Sequence, residues 1–155
     1  MSTLRLSHIG ICVRDLARAR HFYCAGLGFR ERGALAVSGE EAATLLELPG
    51  VALEAVYLER DGVVIELLHF ARPGTEGPAE PRAMNQLGLT HLSLRVDDLA
   101  AALAAAESAG GRPLPHTRTF SERFRAGAVF LTDPDGTRIE LVQSPTPMDK
   151  LPGEP

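Results

Sequence analysis

The chain has 155 residues, 45% of them hydrophobic and 23% charged, with two cysteines and a formal net charge of -4. This is the balance of one globular domain or two very small ones, long enough to bury a core without staples. The acidic excess argues against nucleic acid as the main partner, and two cysteines are too few for a secreted disulfide framework.

Cys12 and Cys24 therefore read as reduced, mostly buried thiols. The longest apolar run, Leu99 to Ala106, is too short and alanine-rich for a membrane span. With no signal-like N-terminus, the expected location is the cytoplasm.

In chain order, a strand over about residues 5–13 leads to a helix opening at Asp15, a good N-cap type, and ending near Ala25 and Gly26. Strands follow near 29–37, 52–59 and 63–70. Residues 38–50, SGEEAATLLELPG, predict a short helix stopped by Pro49-Gly50, and Arg60-Asp61-Gly62 predicts a turn. Residues 71–87 hold Pro73, Gly74, Gly77, Pro78 and Pro81 and read as a linker. A second strand (88–96), a helix from Asp98 to about Ala109, and strands near 112–117, 126–132 and 137–143 complete the pattern. Residues 144–155 hold four prolines and predict an irregular tail.

The two halves repeat one another. LSHIGICVRDL (6–16) and LTHLSLRVDDL (89–99) match at a constant offset of 83 residues. DGVVIEL (61–67) and DGTRIEL (135–141) match at an offset of 74, so the first half carries about nine extra residues, around Ser38 to Leu53. The expected architecture is α+β, a single domain over 1–143. Module one (4–70) and module two (88–143) are each βαβββ.

Strand side chains alternate between faces. Ile9, Ile11 and Val13 share a face, as do Leu92, Leu94 and Val96; His8 and His91 fall opposite. Glu66 and Glu140 likewise oppose Ile65, Leu67, Ile139 and Leu141. All four thus sit off the helix-packed face. A lone strand histidine is more often a core or surface residue. Here, however, the same two types recur at equivalent places, and unpaired polar groups on an inward strand face are costly. Two imidazoles and two carboxylates suit one divalent first-row metal (Ni, Zn, Co, Mn or Fe) with one or two waters. Such a metal chelates adjacent substrate oxygens, and a carboxylate beside it can move a proton at the neighbouring carbon.

The segments SHIGICVRDLARARHFYCAGLGF, VVIELLHF, LTHLSLRVDDL and FLTDPDGTRIELV resemble the vicinal oxygen chelate superfamily, over about residues 4–143. That group includes glyoxalase I, methylmalonyl-CoA epimerase, extradiol dioxygenases, fosfomycin-resistance thiol transferases and bleomycin-binding proteins. The resemblance implies an open barrel-like mixed sheet around a metal cleft, with His8, Glu66, His91 and Glu140 as metal ligands. It also implies Glu140, with Glu66 sharing the role, as the catalytic base of an isomerase or lyase, and a homodimer. An Fe(II) dioxygenase or thiol transferase, and a non-enzymatic binder, stay open as alternatives. In epimerase-like members the Glu66 position is often Gln, a small point for the glyoxalase side. The superfamily's glutathione-binding set has no convincing counterpart, and the 38–50 insertion also departs from compact glyoxalase I. The substrate, a small molecule, is therefore not carried over. In the stretch HTRTFSERFR (116–125), Arg118, Arg123 and Arg125 are candidates to clamp a substrate carboxylate or phosphate; the other reading is a solvated loop.

Overall fold

The structure is a computed structural model and describes residues 5–147 and 150. The expected start of module one at residue 4, and residues 148, 149 and 151–155 of the expected tail, lie outside the described residues. The chain divides into two compact units at Pro78/Ala79, inside the linker.

Unit one runs β1 (Ile9–Cys12), α1 (Leu16–His21), β2 (Arg30–Ser38), α2 (Glu40–Leu46), β3 (Ala52–Arg60) and β4 (Val63–Arg72). Its four-stranded sheet has the order β1-β4-β3-β2. β1 is parallel to β4, and the other pairings are antiparallel. A parallel neighbour needs a crossover, and α1 supplies it. Asp15 caps α1 by accepting from the Arg18 amide at 2.9 Å. α1 widens into a π-helical turn over Phe22–Gly26, and the left-handed glycine that ends it is Gly28 (φ 71), not the expected Gly26. That added turn seats Phe22 and Tyr23, both fully buried, edge to face at 5.1 Å.

Unit two repeats the plan with β5 (Leu92–Arg95), α3 (Leu99–Ser108), β6 (Arg112–Ser121), β7 (Ala126–Thr132) and β8 (Arg138–Gln143), in the sheet order β5-β8-β7-β6. Asp98 caps α3 by accepting from the Ala100 and Ala101 amides, both at 2.9 Å. The β7–β8 turn is locked by buried Asp133, whose Oδ1 accepts from the amides of Asp135 (2.9 Å) and Thr137 (2.8 Å). Gly136 there (φ 100) lets the carbonyl of Ala79 approach to 2.7 Å of where a Cβ would sit.

Each unit is thus βαβββ in an α+β fold, with α2 as the extra element of the first half. Ile65 and Leu67 of β4, and Ile139 and Leu141 of β8, have exposures of 0–1%. Glu66 and Glu140 between them face the other way and are half-buried, as the alternation predicts. Three expectations need correction. β1 and β5 are four residues each, so His8 and His91 stand just before their strands rather than inside them. α2 stops at Glu47, which takes the left-handed conformation (φ 56) itself, two residues ahead of Pro49. Cys12 is exposed, because it falls on the same face as Gly10, away from the core. Among the described residues, no helix is long and apolar enough to cross a membrane.

Candidate metal centre

In unit one, His8 Nε2 lies 3.1 Å from Glu66 Oε2. In unit two, His91 Nε2 lies 3.6 Å from Glu140 Oε2. The other ring nitrogen is held alike in both: Ser7 Oγ is 3.1 Å from His8 Nδ1, and Thr90 Oγ1 is 2.9 Å from His91 Nδ1. A hydroxyl from the preceding residue therefore fixes each ring and leaves Nε2 directed at the carboxylate. Metal-binding histidines are held in this way through their second nitrogen.

An aromatic side chain walls each pair. Tyr57 on β3 meets the His8 ring edge-on at 5.5 Å, and Phe130 on β7 meets the His91 ring at 5.4 Å. The strand register explains the coincidence. Glu66 pairs with Gly10 on one flank and Tyr57 on the other. Glu140 pairs with Ser93 and Phe130. Each carboxylate also takes a hydroxyl. Tyr57 hydrogen-bonds Glu66, and Ser93 Oγ donates to Glu140 Oε2 at 2.7 Å. Bonding to Glu66 raises the Tyr57 phenol above its ordinary pKa, with burial and the carboxylate charge adding to it.

In unit one His8 opens on a cleft of about 560 Å³ that Tyr57, Arg5 and Arg32 also help to line. Glu59, on the same wall, is held below the usual carboxylate range, first by the Gly62 amide donating to it at 2.9 Å and then by Arg30 at 3.1 Å. It is a structural group that ties β3 to the β3–β4 turn.

The family model described as Glyoxalase/Bleomycin resistance protein/Dioxygenase superfamily matches residues 5–141. The chain belongs to this superfamily. It is 33% identical over 144 residues to YaeR of Escherichia coli (strain K12), a protein described as uncharacterized, covering 90% of this chain and 95% of that one. The fold is similar to that of a glyoxalase family protein from Bacillus cereus (TM-score 0.79, 20% identity, 93% and 96% of the two chains). It is also similar to that of the fosfomycin resistance protein FosX from Listeria monocytogenes, crystallised with Mn(II) and sulfate (TM-score 0.56, 15% identity, 93% and 95%).

The donor set suits the divalent metal that a glyoxalase-superfamily scaffold implies. The His8–Glu66 and His91–Glu140 separations, 3.1 and 3.6 Å, are short enough that each pair would be able to share one ion. Each unit by itself offers two donors, and among the described residues no group of three or more His, Cys, Asp or Glu gathers as a metal site.

The arginines are placed otherwise. Arg118 and Arg125 line a cleft of about 640 Å³ with Asp97, Leu99, Phe120 and Gln143, which includes neither His91 nor Glu140. The cleft is on the α3 side of the sheet: a Cβ on Gly127, in its wall, would meet Leu99 of α3 at 3.6 Å. Arg123 lies outside this cleft, its guanidinium 5.1 Å from the centre of the Phe124 ring. Ser7, Thr90, Tyr57 and Ser93 escaped the sequence reading. The first two were visible in it, since Ser7 and Thr90 keep the offset of 83 residues. Tyr57 and Ser93 needed the register.

Proposed function

We propose that this superfamily member is a divalent-metal-dependent isomerase or lyase that transfers a proton beside a chelated carbonyl, with His8, Glu66, His91 and Glu140 as the metal ligands. The observation that carries the reading is the repeated pair, in which a hydroxyl-anchored imidazole presents Nε2 to a carboxylate in both modules. The metal, when bound, supplies a Lewis acid for adjacent substrate oxygens.

The chain's own groups do the rest. Tyr57 and Phe130 wall the rings and limit their motion. Glu140 is the base we favour. Ser93 engages its Oε2, while its Oε1 makes no hydrogen bond among the described residues and is open to take and return a proton. Glu66 shares that role or serves as ligand alone. Retention of carboxylates in both modules favours proton transfer over the two-His, one-carboxylate pattern of Fe(II) oxygen chemistry. Arg118 and Arg125, in a cleft on the α3 side that includes neither His91 nor Glu140, are left out of this substrate site. We further propose a homodimer.

Elemental analysis of the purified protein is the first test, followed by solvent-deuterium exchange into 2-oxoaldehyde adducts and acyl-CoA thioesters. We expect bound metal and exchange. Glu140→Gln, assayed at saturating metal where the glutamine oxygen can still hold the ion, is expected to lose at least about 100-fold in exchange rate, the loss typical of a general base. Glu66→Gln is expected to lose metal. A protein that holds no metal and has no affinity for Mn(II), Ni(II) or Zn(II) sinks the reading and leaves a metabolite- or drug-binding role. Oxygen uptake with a catechol would replace it with ring cleavage.

A further inference from the structure

The two modules are alike in donors and unlike in what holds them. Each ligand carboxylate stands on a strand with a neighbour on either side, and in each module only one neighbour carries a hydroxyl. In unit one it comes from the antiparallel neighbour β3, as Tyr57, and the parallel neighbour β1 offers Gly10. In unit two it comes from the parallel neighbour β5, as Ser93, and the antiparallel neighbour β7 offers Phe130.

Packing beside the two carboxylates also differs. A Cβ on Gly10 would meet Leu68 Cδ1 at 3.1 Å, so a serine there needs that leucine to give by a few tenths of an ångström. The residue matching Leu68 at the offset of 74 is Val142, one carbon shorter and lacking that Cδ1. Ser93 reaches Glu140 Oε2 at 2.7 Å. The ring of Phe130 repeats the Tyr57 stacking on histidine without the phenol oxygen.

We propose that Tyr57 and Ser93 are the positioning residues of the two ligand carboxylates, one for each module, supplied from opposite flanking strands. Each hydroxyl holds a carboxylate oxygen so that the group meets the metal in one orientation. A residue that orients a metal ligand in this way typically changes metal affinity 10- to 100-fold when removed. The inference rests on the metal reading above and names the groups that make that site.

The test is Mn(II) affinity, followed by the EPR signal of free Mn(II), with far-UV circular dichroism to check the fold. Tyr57→Phe and Ser93→Ala are each expected to weaken binding at least about 10-fold, and Ser93→Thr to stay near wild type. The deciding variant is the double change Ser93→Ala with Phe130→Tyr, which delivers the hydroxyl to Glu140 from the other flank as unit one does. It is expected to recover most of the lost affinity. Folded single variants that bind Mn(II) as tightly as a binding wild type overturn the inference alone, as does a folded double variant that recovers nothing. A wild type that takes up no Mn(II), Ni(II) or Zn(II) overturns the metal reading and this inference with it.

Discussion

At the scale of residues, hydroxyls rather than charges distinguish the two half-sites. Tyr57 is one of two tyrosines, and the other, Tyr23, is fully buried in the core. Its phenol is raised by hydrogen bonding to Glu66. A group raised on folding adds stability that is complete below its unfolded pKa and is lost as pH climbs through the folded value. The Tyr57–Glu66 contact should therefore be intact at neutral pH and fade only above about pH 10, the ordinary tyrosine range. Spectrophotometric titration of the apoprotein checks it: Glu66→Gln should bring the more accessible phenol's midpoint down, and an unchanged midpoint would deny the contact. The four metal-ligand candidates were legible because the repeat marks them and alternation aims them. Tyr57 and Ser93 were not, since which residue stands beside a glutamate depends on pairing across strands. The β3–β4 and β7–β8 hairpins shift that pairing by one residue, with Tyr57 facing Glu66 and Phe130 facing Glu140.

At the scale of elements, composition and caps predicted the helix starts well. Asp15 and Asp98 are the N-caps in the structure, because a carboxylate one residue ahead of a helix satisfies amides that have no partner within it. Asp98 serves two amides. Asp98→Ala should cost about 1–2 kcal/mol, read as a lower urea midpoint at unchanged slope. Strand ends were less legible. β6 runs to Ser121, four residues beyond the expected end near 117, and its pairing with β7 shifts between Leu114 and Thr119. The missed residues, 118–121, belong to the arginine-rich stretch read as a clamp or solvated loop, while Pro113 and Pro115 sit in an edge strand, where a missing amide is tolerated.

At the scale of the whole molecule, duplication set most of what was legible. The expected linker contains the division between units, and the extra residues of the first half became α2. The described tail is irregular but anchored: Arg95 donates to the carbonyls of Ser144, Thr146, Pro147 and Lys150. Proline count said nothing of that anchor, which comes from a strand residue about 50 positions earlier. A ligand that binds only the folded chain raises its stability by mass action, by about 2.7 kcal/mol at a concentration 100 times its Kd. Saturating Mn(II) or Ni(II) should therefore raise Tm by several degrees in wild type and little in the Glu66→Gln, Glu140→Gln double variant. Light scattering should give twice the 16.6 kDa chain mass. A wild-type Tm indifferent to every divalent metal would count against the centre.

The hydroxyl that tethers each imidazole belongs to the residue immediately before it, Ser7 before His8 and Thr90 before His91. Each glutamate is set by strand pairing inside the same unit. Neither half-site has to wait for an ion in order to form. For the proposed centre the consequence is kinetic: each pair is formed beforehand, so an arriving ion would not wait for a loop to order itself. Loading would then depend on how fast the ion sheds its waters and on how often it arrives. On that proposal, the ion would be exchangeable without unfolding the chain, and its identity would be set by supply as much as by the donors.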